Sequence, residues 1–87
     1  MKELEEIKRG ERASEILDNP LFKEAVEKVR NGIIDSMARS PLGDSETHNR
    51  LVIAMQLLNQ IEKQLIDVMT TGKMATMSTS DKRTIFR

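Results

Sequence analysis

The chain has 87 residues, 38% of them hydrophobic and 32% charged, with fourteen basic and fourteen acidic side chains that cancel to a net charge of zero. A domain this short buries a modest fraction of its surface and commonly draws missing stability from docking or oligomerisation. The absence of cysteine excludes a disulfide staple and a thiolate metal site, and the longest apolar stretch is too short, and too broken by Gln and Asn, to cross a membrane.

The first expected helix covers Lys2 to Leu17, rich in Glu, Lys and Arg, with a thin apolar stripe of Leu4, Ile7, Ala13, Ile16 and Leu17 that Gly10 interrupts. Its charged start, Met1-Lys2-Glu3-Leu4-Glu5-Glu6, does not read as a secretory leader. Asp18-Asn19-Pro20 then punctuates the chain. The Asn19 side chain can cap the next helix, and Pro20 suits the first helical position because its missing N–H would be unpaired there anyway.

The second helix is expected from Pro20 to Arg39. Phe22, Val26, Val29, Ile33 and Met37 share one face, and Glu24 and Lys28 form an outward i,i+4 pair. Gly32 reads as a tolerated small residue, with close approach of another helix as the sharper alternative.

Ser40-Pro41-Leu42-Gly43 is a turn, and Asp44 or Ser45 caps the third helix. Leu51, Ala54, Leu58, Ile61, Leu65 and Val68 alternate steps of three and four, a heptad seam. Met55, Leu57 and Met69 widen the stripe, and Gly72 reads as the helix stop. Helices two and three, joined by a short turn, are expected as an antiparallel hairpin. Val52, Ile53, Leu57 and Ile66 lie off the seam and need the first helix, the tail or a second subunit to cover them. A homo-oligomer built on the third helix is the simplest such arrangement.

The expected fold class is therefore all-α: a hairpin of two long helices plus an N-terminal helix, residues 1–72, followed by an extended C-terminal arm, residues 73–87. Residues 73–87 hold four basic side chains and one acidic, whereas residues 1–19 and 44–72 each carry a net charge of −2. Fifteen extended residues reach on the order of 50 Å. Met74, Met77, Ile85 and Phe86 would anchor the arm, on a neighbour or on its own hairpin, and Leu51, Leu58, Ile61 and Leu65 would form the hairpin or oligomer interface. Met suits irregular pockets.

Catalytic chemistry has little to work with. Asp44, Glu46 and His48 alternate, but a spacing of two scatters side chains around a helix, so capping with a solvated His48 is the expectation rather than a metal site. One histidine, no cysteine, no Gly-rich phosphate loop and no nucleophile motif point away from an enzyme and from any cofactor. Arg50, Gln56, Asn59, Gln60 and Gln64 read as the polar face of a coiled-coil helix rather than a ligand pocket. With Phe22 and Phe86 the only aromatics, a base-stacking platform is nearly absent. Lys73, Lys82, Arg83 and Arg87 remain as candidate phosphate contacts that would not read sequence, so nucleic acid is not the favoured partner.

Two segments, RGERASEILDNPLFKEAVEKV from Arg9 to Val29 and LLNQIEKQLIDVMTTGKMA from Leu57 to Ala75, resemble small helical proteins encoded by tailed bacteriophages. The shared features are a Gly-Glu-Arg entry, an Asn-Pro cap and a Thr-Gly-Lys-Met-Ala helix exit. The resemblance implies a phage structural or head–tail assembly protein in the host cytoplasm or the virion, with other phage structural proteins as partners, and it carries over no functional site. A helical regulator that binds a host protein and a DNA-associated factor using the basic tail are the rival readings.

Overall fold

The computed structural model describes the backbone of residues 2–85 and the side chains of residues 2–78. It is all-α, with three helices and no strand among the described residues: α1 (Lys2–Asp18), α2 (Pro20–Arg39) and α3 (Ser45–Ile85).

A one-residue break separates α1 from α2. Proline pushes the residue before it into extended geometry, and Asn19 sits at φ −65°, ψ 122°. From there its Oδ1 accepts from the N–H groups of Leu21 at 2.9 Å and Phe22 at 3.1 Å, two donors the helix start leaves unpaired. The far end of α2 closes at Ser40, whose N–H donates to the Met37 carbonyl and whose hydroxyl donates to the Ser36 carbonyl at 2.7 Å. Asp44 caps α3: its carbonyl accepts from His48 N–H, and its two carboxylate oxygens accept from the Thr47 N–H and hydroxyl at 3.1 and 2.6 Å.

The three helices form a rod two helices thick, 67 Å long and 24 by 18 Å across. Its radius of gyration is 19.0 Å, against about 12 Å for a compact domain of this length. The long axis is α3, 41 residues or about 60 Å at 1.5 Å per residue. Both α1 and α2 run antiparallel to it. Glu6 and Gly10 of α1 lie at Gly72 and Val68, whereas Arg30 of α2 lies at Asn59 and Glu62. The chain therefore lays a broken helix end to end along an unbroken one, and α1 packs far more closely on α3 than α2 does.

The C-terminal segment departs from expectation. Gly72 does not stop α3, and the extended arm expected from residue 73 is helical through Ile85. No glycine in the described backbone has a positive φ, so Gly72 lacks the left-handed conformation of a helix C-cap. Nothing after Gly72 compels an exit either: Lys73, Met74 and Ala75 are strong helix formers and no proline follows. Thr76 donates its hydroxyl back to the Gly72 carbonyl at 3.0 Å, inside the continuing helix.

Candidate functional site

The tightest contact among the described residues is the crossing of α1 over α3, and four small residues make it. Gly10, Ala13, Gly72 and Ala75 are the buried residues of the described chain; Ala13 is 3% exposed and Ala75 5%. A Cβ on Gly10 would lie 2.9 Å from Gly72 Cα and 3.3 Å from the Val68 carbonyl oxygen. A Cβ on Gly72 would lie 2.9 Å from both Gly10 Cα and the Glu6 carbonyl oxygen. Each glycine thus faces the carbonyl four residues before the other, where its Cα–H can make a weak contact. Because the helices are antiparallel, the two alanines lie on opposite sides of the crossing. This backbone-on-backbone packing fixes α1 against α3.

The α2–α3 hairpin is built differently. Phe22, Val26, Ile33 and Met37 face Leu51, Ala54, Leu58 and Leu65, and all are only half-buried. No residue of α2 is buried. Two positions differ from the sequence pattern. Val29 is exposed, and Arg30 takes the inward place beside it. Ile61 is 58% exposed, and Glu62 takes its inward place. The Arg30 guanidinium donates to the Glu62 carboxylate and, at 3.4 Å, to Asn59 Oδ1, so a half-buried ion pair interrupts the apolar seam. Gly32 meets nothing within 4 Å, in keeping with a tolerated small residue. The expected outward pair forms between Glu24 and Lys28 at 3.1 Å.

What the hairpin leaves uncovered is the main chemical feature of the surface. Val52, Ile53, Leu57 and Ile66 are all exposed, Leu57 at 60%, and α1 covers none of them. From Leu51 to Ile61, α3 carries no charged residue on any side. Ile53, Gln56, Leu57, Asn59, Gln60 and Lys63 line an open groove along the outside of this stretch. An open apolar floor rimmed by amides and the Lys63 ammonium suits another helix better than a small molecule, which buries most of its surface in its site. Val52 and Ile66 lie on one flank of α3, whereas Ile53, Leu57 and Ile61 follow one another at single turns on the opposite flank.

The polar cluster at the start of α3 resolves into capping. Asp44 is committed to Thr47, and Glu46 pairs with Arg50 at 2.7 Å instead of capping. The Thr47 hydroxyl, and then its N–H, hold the Asp44 carboxyl below its ordinary pKa. His48 is not the solvated residue expected: it is half-buried, and its Nε2 is shielded without a hydrogen-bond partner. No group of three or more metal-binding side chains occurs among the described residues. No helix there is long and apolar enough to cross a membrane.

The candidate interface residues therefore divide. Leu51, Leu58 and Leu65 are spent on the hairpin seam, whereas Ile61 and, beyond the glycine crossing, Met74 and Met77 face outward, the methionines 65% and 64% exposed. Ile85 ends α3. Its side chain, those of Lys82 and Arg83, and all of Phe86 and Arg87 lie outside the described residues. Sequence reasoning missed the role of Gly10 and Gly72. The available signal was the same Gly-x-x-Ala spacing in both helices, Gly10 with Ala13 and Gly72 with Ala75.

Comparison with protein-family models, with curated proteins and with solved structures gives no match to this chain.

Proposed function

We propose that this chain is a non-enzymatic assembly protein that works by docking its uncovered helical faces, and that it serves in the virion or head–tail assembly of a tailed phage. The observation that carries the docking reading is the imbalance of the hairpin. Its second helix buries no residue while Ile53, Leu57 and Ile61 stand exposed on an uncharged stretch of the third. A two-helix layer stabilises itself by burying an apolar face against another layer, and this hairpin has one layer only. The phage context rests on the resemblance of the Arg9–Val29 and Leu57–Ala75 segments. In this reading the C-terminal part of α3 docks as a helix presenting Met74 and Met77.

The test is copy number. Quantitative mass spectrometry of purified particles from a phage that encodes this chain should find it in a fixed ratio to the head or tail proteins. A chain abundant in the infected cell and absent from the particles would remove the virion role and leave a regulator that binds a host protein.

A further inference from the structure

Both sides of the α2–α3 hairpin carry exposed aliphatics, Ile34, Val52 and Ile66 on one and Val29, Ile53, Leu57 and Ile61 on the other, but an ion pair crosses only the first. There Arg30 crosses the seam to Asn59 and Glu62, with Lys23 and Glu27 in the same crevice. At about 3.6 residues per turn, Ala25, Val29 and Ser36 step away from Arg30 to the other side of α2. Ile53, Leu57 and Ile61 step away from Asn59 and Glu62 in the same sense on α3. In antiparallel helices, residues displaced in one rotational sense from the shared seam lie on one side of the pair. All six are exposed, and none is charged.

We infer that a second copy of this chain occupies this side, with α3 antiparallel to α3 of the copy in a register centred on Leu57. Leu57 then meets the copy's Leu57, Ile53 meets its Ile61, and Ile61 meets its Ile53. The inference rests on the docking reading above and names the partner at that face.

Three observations select a copy. A twofold contact needs a patch complementary to itself, and the two isoleucines stand equidistant from Leu57. The charges select the orientation. In the antiparallel register Arg50 stands opposite the copy's Gln64 and no like charges meet, whereas a parallel register sets Arg50 on Arg50 and Glu46 on Glu46. A net charge of zero adds no long-range repulsion between copies. The area also fits. A hairpin side some twenty residues long and two helices wide measures roughly 30 by 20 Å, or about 600 Å², the lower edge of what each partner of a standard interface contributes. The product is a four-helix bundle with α2 covered at last and the two glycine crossings at its opposite ends.

The chain lacks cysteine, so single introduced thiols report the register. In the full chain, Leu57→Cys should be trapped as a disulfide dimer on mild oxidation. Ile34→Cys, exposed on the Arg30 side, should stay largely uncrosslinked. Ile53→Cys and Ile61→Cys should each crosslink poorly alone and efficiently when mixed. Sedimentation of the unmodified chain should give twice the 9.9 kDa monomer mass. Leu57→Glu, with helicity checked by circular dichroism, should weaken association at least tenfold. Homodimers from Ile53→Cys and Ile61→Cys separately, with no mixed dimer between the two on mixing, would overturn the register. An unmodified chain that stays monomeric at every concentration would overturn self-pairing and yet leave the docking reading standing, since that reading falls with the particle count instead.

Discussion

The two halves of α3 hold their partners by different means. Around Gly72 the helix touches α1 backbone to backbone, and four small residues are buried. Around Leu58 it meets α2 through larger side chains that stay half-wet, with an ion pair in the middle of the seam. Close packing therefore follows from residues that are small enough to let helices approach, not from the bulk of the apolar ones. The half with the larger hydrophobic side chains is the half without a core.

The contrast can be broken most severely at the crossing. Gly72→Leu would drive a side chain into the Glu6 carbonyl and the Gly10 Cα, and overpacking of this kind costs about 3 kcal/mol. Chemical denaturation should show that loss, and a stability unchanged within error would mean that the helices do not touch there. A smaller effect is expected in the hairpin. Arg30→Ala strips the half-buried Glu62 of its cation and should cost about 1–2 kcal/mol. Arg30→Met combined with Glu62→Leu should recover most of it, because a matched apolar pair replaces a partly buried ion pair at little cost. If the double variant is no more stable than the single one, the pair is not what limits this seam.

Glycine itself gives the sharpest form of the comparison. Gly32→Ala meets open space and should stabilise the chain by up to about 1 kcal/mol through helix propensity alone. The same change at Gly10 or Gly72 should destabilise it, because backbone lies 2.9 Å from the new methyl group. Equal melting shifts at the three positions would erase the distinction. The smallest effect concerns pH. Thr47 holds the Asp44 pKa down, so the folded chain binds that proton less readily than the unfolded one. The stabilisation is complete above the unfolded value of about 3.9 and is lost as pH falls through the lower folded value. Asp44→Asn keeps a capping oxygen and removes the titration, so acid unfolding below about pH 4 should become less steep. An unaltered acid limb would show that Asp44 is not coupled to folding.

Much of the architecture is legible in the residues that interrupt it. Asn19-Pro20 and Pro41 to Gly43 mark the breaks, and Asn19 and Asp44 cap as their types dictate. The C-terminal segment was not legible, because a glycine followed by lysine is locally the same whether a helix ends or another helix crosses there. What decides is a partner more than half the sequence away. Ile61 misled for a related reason. Apolar periodicity assigned it to the seam, but Arg30 recruits Glu62 to that turn, a pairing no single-helix pattern contains. The exposed strip of Ile53 and Leu57 was visible as residues off the seam, while the side it shares with Ala25 and Val29 depended on knowing where Arg30 reaches.

The meeting of Gly10 with Gly72 also bears on the order in which this chain acquires its shape. Contacts distant in sequence form slowly because the intervening loop must first be closed, whereas the α2–α3 turn brings near neighbours together at once. On a ribosome delivering the chain from its N-terminus, α1 must wait until nearly the whole of α3 has emerged. The hairpin, with its uncharged strip already presented, is thus available to meet another hairpin before the α1–α3 crossing has closed.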